Sequence, residues 1–267
     1  MSLPPSLYAP GDSWLHRVDP RVKLAFAVLS TAAWMSLGSL PLFALFLVLC
    51  HIMLLSARVP LARLGWAWRL ILPITILIPV LWPVFSTAAD PILLRLGPVS
   101  VTWQDIWQGL AMAARVDAMA FAFFVWLFTT DQTDMVLAFV KLGIPYEWGL
   151  MVSIALRYIP TLYSAFEQVM DAQRARGLVI SRTNPVQAAR AYIPGLVPML
   201  ILAFRTADNL SRALEARAFG APGRSRTGRR RLRLTLLDGL ILVALIALFG
   251  GLIAARVRWG LGRGPLF

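Results

Sequence analysis

From Leu24 to Ala57 the chain runs 34 residues without a formal charge, counting His51 as neutral. One straight helix of that length would extend about 51 Å, against a hydrocarbon core of about 30 Å. The Gly38-Ser39-Leu40-Pro41 break resolves the mismatch. It predicts a helical hairpin with short spans near 22–37 and 41–57, accommodated by tilt or local thinning. Composition points the same way. Apolar residues make up 58% of the 267 and charged residues only 15%, where a soluble domain carries about 25%. Ten Trp and fourteen Phe exclude disorder. The expected class is an all-α polytopic membrane protein rather than a soluble enzyme or binding module.

The other elements follow from apolar runs and their punctuation. Asp19-Pro20 suits a helix start, with Asp as N-cap and Pro in the first turn. Before it, Ser13-Trp14-Leu15-His16-Arg17 reads as an interfacial segment anchored by Trp. Residues 1–20 lack the apolar h-region of a signal peptide. A third span, Leu70 to Ala89, holds Pro73, Pro79 and Pro83 and is expected to kink. Residues 86–106 read as an irregular loop in which Gly97-Pro98 fits the turn of a small hairpin. Thr102 and Asp105 suit the start of the fourth span, near 107–129. Arg115 and Asp117 lie in that span, two residues apart, so their partners must come from other helices or water. Snorkelling to the interface is the expectation for both. The last span is Leu234 to Ala255, which makes five.

Residues 130–233 have a different character. Asp131 to Leu142 is a short amphipathic helix closed by Gly143 and Pro145. Glu147 to Ile159 is apolar and expected to end at Pro160. Thr161 to Arg176 is amphipathic, with Leu162, Phe166, Val169, Met170 and Gln173 on one side. Pro185 opens a helix that bends at Pro194 and Pro198. Arg205 to Phe219 is amphipathic and stops at Gly220. The chain thus divides into a membrane region over 1–129, a block of mainly amphipathic helices over 130–233, and a final span and tail over 234–267.

Charge assigns the sides. The net charge is +13, and 24 of the 26 basic residues are Arg. Between Arg157 and Arg233, 14 Arg face four acids, an excess of ten. Arg-rich segments stay inside, so the N-terminus, loop 58–69 and block 130–233 are expected in the cytoplasm, beside anionic lipid. Arg256, Arg258 and Arg263 then break the rule unless a further re-entrant pass exists. Nucleic acid is not an expected partner, because the basic block adjoins spans and lacks an aromatic platform.

The block contains a short repeat. Ala172-Gln173-Arg174-Ala175-Arg176-Gly177 and Ala213-Leu214-Glu215-Ala216-Arg217-Ala218-Phe219-Gly220 both read Ala-x-x-Ala-Arg, followed at once or after two residues by Gly. The two arginines are 41 residues apart. Small alanines allow close approach, Arg projects from the helix tip, and Gly supplies the left-handed turn. Arg at a helix end also complements the dipole. Two such ends suit two equivalent carboxylate-bearing grooves, because the guanidinium is a rigid bidentate fork.

These residues resemble the transmembrane coupling subunit, or T component, of energy-coupling factor transporters, which are ABC-type importers of vitamins and transition metals. The likeness covers most of the chain. It includes Tyr8-Ala9-Pro10-Gly11-Asp12-Ser13-Trp14-Leu15-His16-Arg17-Val18-Asp19-Pro20, Thr129-Thr130-Asp131 with Leu142-Gly143-Ile144-Pro145, and Ala155-Leu156-Arg157-Tyr158-Ile159-Pro160. Ala175-Arg176-Gly177 matches the family motif intact. Ala216-Arg217 with Gly220 is a looser second copy. The resemblance implies that two ATPase subunits dock near Arg176 and Arg217. It implies that a membrane-embedded substrate-binding S component packs on the apolar helix faces, and that this chain is itself non-catalytic.

The sequence has no P-loop, since neither Lys23 nor Lys141 follows Gly, and no His-Glu-x-x-His. His16 and His51 are expected to be structural. Asp131 and Asp134 read as dipole partners of a helix start rather than as a metal pair. No cofactor is expected. An autonomous secondary transporter and a membrane-embedded enzyme are the rival readings. The first would want ionisable groups at the bilayer midplane or inverted repeats, and the second a recognisable catalytic motif.

Overall fold

The computed structural model describes residues 8–85, 92–96, 99–178, 185–219, 232 and 234–260. It is all-α apart from one hairpin. Two compact units form, Pro145–Arg231 on one hand and Pro4–Ile144 with Leu232–Phe267 on the other.

The larger unit is a helical bundle. Helix α1 (Trp14–Arg17) leads into α2 (Pro20–Ser36), α3 (Leu40–Ser56) and α4 (Leu61–Phe85). A hairpin of β1 (Ile92–Leu96) and β2 (Val99–Thr102) precedes α5 (Trp103–Thr129), and α6 (Gln132–Lys141) follows it. The final span, α10 (Leu236–Trp259), returns to pack against α2. Three of these helices, α4, α5 and α10, are long and apolar enough to cross a membrane alone, and α3 is a shorter apolar helix. The chain is therefore a polytopic helical membrane protein.

Helix α5 is the hub. Half of its apolar window is buried, against 11% for α4 and for α10, which leaves those two facing outward. Its inner face is made of small residues: Ala111, Ala113, Ala118 and Ala122 are fully or almost fully covered. Small side chains let spans approach closely where lipid offers no hydrophobic drive for association. At Gly109 the approach is limiting, because a Cβ there would lie 2.8 Å from Pro79 Cα. Aromatic clusters fill the remaining space. Trp34 meets Phe46 at 4.8 Å and Phe43 at 5.6 Å between ring centroids, and Phe121 lies 4.4 Å from His51 and 5.0 Å from Trp68.

Several expectations hold and several are corrected. The Gly38–Ser39 break divides α2 from α3, and Asp19 caps α2 by accepting the Arg21 N–H at 2.9 Å. The fourth span begins at Trp103, earlier than residue 107. Thr102 and Asp105 form a reciprocal capping box that starts it directly after β2. The strands pair antiparallel, with Leu96 opposite Val99, and the expected Gly97-Pro98 turn lies outside the described residues. Pro73, Pro79 and Pro83 all lie within one continuous α4.

Asp117 does not snorkel. With α5 starting at 103 it stands near the helix centre, 3% exposed, and accepts the Thr75 hydroxyl at 2.6 Å. Arg115 instead reaches the end of α2. Its Nε donates to Trp34 O at 2.8 Å and its Nη2 to Met35 O, two carbonyls of the last turn of α2. Both histidines are structural. His51 Nδ1 pairs with Leu47 O at 2.7 Å while Nε2 accepts from the Trp68 indole at 3.0 Å. His16 sits between Ser13 Oγ and Ala9 O, at 2.7 and 2.8 Å.

Gly109→Ala should cost about 1–3 kcal/mol through overpacking against backbone. Gly65→Ala on α4, whose Cβ would meet nothing within 4 Å, should be neutral or stabilising by about 0.5–1 kcal/mol. Thermal unfolding of the two purified variants checks the contrast, with equal midpoints counting against the packing described for α5.

Candidate functional site

The smaller unit consists of α7 (Tyr146–Ala175), α8 (Pro185–Ala191) and α9 (Ile193–Ala216). Helix α7 is a single 30-residue helix, so Pro160 does not end it. The ring removes one i→i−4 bond, which leaves the Leu156 carbonyl without its usual donor but does not stop the helix. Helix α9 likewise runs unbroken through Pro194 and Pro198; the break falls earlier, at Tyr192.

The apolar stripe foreseen on α7 makes the contact with α9. Phe166 stacks on Tyr192 with centroids 6.4 Å apart. Met170, 3% exposed, presses its Sδ onto Gly195, where a Cβ would collide with it. Gln173 Nε2 donates to Pro194 O at 3.3 Å. Residues 166, 170 and 173 fall at i, i+4 and i+7, one face of the helix. The contact therefore joins the last third of α7 to the first turn of α9. Little else in this unit is covered: Gly149, Met170 and Gly195 are the buried residues among those described in its helices. Trp148, Met151, Val152 and Ile159 on α7 and Leu196, Leu200 and Phe204 on α9 are all exposed.

Both Ala-x-x-Ala-Arg copies form the same helix end. Ala175 is the last residue of α7, Arg176 is its C-cap, and Gly177 turns left-handed at φ +92°. Gly177 N–H donates to Arg174 O at 2.9 Å and Leu178 N–H to Gln173 O at 3.0 Å. In α9, Ala216 is last, Arg217 is the C-cap, and Ala218 takes the left-handed position at φ +54°. Ala218 N–H donates to Glu215 O at 2.8 Å and Phe219 N–H to Leu214 O at 2.9 Å. These paired 5→2 and 6→1 bonds are Schellman motifs. Structurally the counterpart of Gly177 is Ala218. Gly220, expected to stop the helix, lies outside the described residues. The repeat is thus in register over three positions, 175–177 and 216–218, and not interrupted.

Arg176 and Arg217 are both exposed. One turn behind the first tip, Arg174 Nη1 is held by Asp171 Oδ1 at 2.8 Å. The tips stand far apart. Gln173 touches the start of α9, whereas Arg217 closes its far end, 24 residues on, or about 36 Å. The pair therefore offers two like-charged ends of identical backbone geometry at separate places. Sequence reading missed Ala218 because alanine carries no signal for a left-handed position. The 41-residue spacing of both arginines, applied to Gly177, would have pointed to residue 218.

Asp131 is the N-cap of α6 and Asp134 lies in its first turn, the place expected for dipole partners. Among the described residues no cluster of three or more His, Cys, Asp or Glu could hold a metal ion.

Apolar spans in one unit and a pair of Arg-ended helices in the other define a polytopic membrane protein. The family model described as CbiQ, cobalt transport protein, matches residues 11–227, and the chain belongs to that family. The chain is also similar to curated proteins named energy-coupling factor transporter transmembrane protein EcfT. The one from Listeria innocua is 32% identical over 258 residues, covering 91% of this chain and 94% of the relative. Those from Acidaminococcus fermentans and Bacillus selenitireducens are each 34% identical, covering 95% of this chain and 96% and 97% of theirs.

Gly177→Ala should raise the cost of the α7 end by about 1 kcal/mol, and Ala218→Gly should lower that of the α9 end by a similar amount. Amide exchange at Leu178 and Phe219 reads the two ends directly. Exchange at Leu178 should speed up several-fold and exchange at Phe219 should slow down; unchanged rates would rule out the left-handed assignments.

Proposed function

We propose that this chain is the membrane coupling component of an energy-coupling factor transporter, carrying movement from two ATPase subunits to a membrane-embedded substrate-binding S component. The observation that supports it most is the pair of identical helix ends, each presenting an exposed Arg at the C-cap of a long helix. One such end is common. Two in exact register on helices that press together through Met170 and Gly195 suit two copies of one docking groove. The names of the curated relatives point to the same assembly.

In this mechanism each tip seats in an ATPase groove lined by carboxylates. Ala175, Arg176 and Gly177 form the first contact, and Ala216 and Arg217 the second, with Ala218 shaping its turn and Gly220 just beyond it. Alanine keeps the helix slim enough to enter, Arg forms the bidentate pair, and the left-handed residue turns the chain away. Closure of the ATPases moves the tips. A rigid 30-residue helix transmits that displacement without the slack of a loop, and the crossing at Gly195 carries it to α9. The exposed apolar residues of α7 and α9 are the surface for the S component. These helices and the N-terminus lie on the cytoplasmic side of the cell membrane, a reading supported by the Arg excess. ATP is hydrolysed by the partner chains, and cargo choice, a vitamin or a transition metal, belongs to the S component.

Arg176→Glu with Arg217→Glu is the decisive variant. Breaking a buried charge pair at an interface costs about 2–5 kcal/mol, so each reversed site should weaken docking well over tenfold. The double variant should reach the membrane at normal level, lose co-purifying ATPase and lose ATP-dependent uptake. Full uptake by the double variant would overturn the proposal, as would substrate transport by this chain reconstituted alone.

A further inference from the structure

The bundle contains an apolar cavity of about 440 Å³ between α1, α2, α3 and α10. Val22, Trp34, Leu45, Met53, Leu245 and Leu248 mark its walls. Lys23 also borders it, but its Nζ is turned away to Thr129 O at 2.9 Å. We propose that this groove holds one acyl chain of an anionic phospholipid, with the phosphate held at its mouth by Arg17 and Arg58. The inference stands on the membrane bundle alone and is independent of the coupling proposal.

Shape separates a lipid chain from a partner helix. Val22 and Trp34 lie at the two ends of the groove on α2, about 18 Å apart at 1.5 Å per residue. That is close to one leaflet, roughly 15 Å, and far short of the roughly 30 Å a spanning helix would need.

At the Trp34 end the Arg115 guanidinium is spent on the Trp34 and Met35 carbonyls; exposed arginines gather at the other end. Trp14 lines the groove there and donates its indole N–H to Ser56 Oγ at 3.2 Å, which fixes α1 against the end of α3. Arg17 and Arg21 flank Val18 on that rim, and Arg58 follows Ser56 by two residues; Arg17 and Arg58 are exposed. Of the acids nearby, Asp19 accepts the Arg21 N–H at 2.9 Å and lies 3.6 Å from Arg21 Nε, and Asp238 accepts the Asp19 N–H at 3.1 Å while completing the capping box of α10. A Trp at the headgroup level beside uncommitted arginines is the arrangement that attracts anionic lipid.

The backbone of Arg58 adds a separate observation. It occupies the left-handed position of the Schellman end of α3 at φ +56°, with Arg58 N–H donating to Leu55 O at 2.9 Å and Val59 N–H to Leu54 O at 3.1 Å. Glycine would take that position without strain. Arginine stands there all the same, which keeps a cation two residues from Ser56.

The test is native mass spectrometry of the full chain, extracted in mild detergent and incubated with phosphatidylglycerol or with phosphatidylcholine of the same acyl chains. Wild type should retain one phosphatidylglycerol at least tenfold over phosphatidylcholine. Arg17→Gln with Arg58→Asn, the latter chosen because Asn tolerates the left-handed region, should drop the adduct at least tenfold while leaving the unfolding midpoint in place. Leu45→Trp, which fills the groove from its exposed edge, should lower occupancy by both lipids and keeps the test open if the arginine variant fails to fold. Equal retention of the two lipids, or indifference to these variants, would overturn the proposal. So would a photo-crosslinker at Leu45 or Leu248 that captures a protein helix instead of lipid in native membranes.

Discussion

A helix in hydrocarbon satisfies its own backbone everywhere except at its ends, and the bundle depends on how those ends are met. The last carbonyls of α2 take the Arg115 guanidinium. The last carbonyl of α5 takes the Lys23 ammonium at 2.9 Å. The N-cap amide of α2 donates to Asp238 Oδ1 at 3.1 Å, on a residue that also completes the capping box of α10. Groups of this kind, buried and left bare, would each cost about 1–3 kcal/mol. The charged residues inside the spans are thus mostly end fittings. They tie α2, α5 and α10 together at fixed register, and they explain how spans of only 17 residues can end safely within the bundle.

Helix termini also distinguish the smaller unit. Four helices, α3, α6, α7 and α9, close with the same pair of backbone bonds. Gly143 and Gly177 serve the left-handed position in two of them, whereas Arg58 and Ala218 serve it in the others. Where glycine is used, the turn is simply inexpensive. Where it is not, a side chain occupies a position that glycine takes without strain. The shared geometry of the α7 and α9 ends turns a loose sequence repeat into a structural one.

Much of this was legible from residues alone. Long uncharged runs place the spans because no soluble alternative buries them, and Gly-Pro punctuation divides α2 from α3 and closes α6. The stripe of Phe166, Met170 and Gln173 foretold the face that meets α9, since 3–4 spacing survives folding unchanged. Proline misled at Pro160, where the helix loses one bond and continues, whereas Pro194 sits in the first turn of α9, where no bond is lost. Asp117 was misplaced because the capping box at Thr102 starts α5 four residues early, moving the carboxylate from the margin to the middle. Its partner, Thr75, sits 42 residues away, a pairing that only tertiary contact reveals. Nothing in the sequence singles out Gly195; its reason is Met170 of another helix.

The crossing at Gly195 divides the helix pair very unequally. From Met170 to Ala175 is about 8 Å along α7, while from Gly195 to Ala216 is about 32 Å along α9. If the crossing serves as a fulcrum, equal forces across the two tips exert torques in a ratio of roughly one to four. The far tip is a long lever and the near one a stub, so two ends with matched chemistry are mechanically distinct.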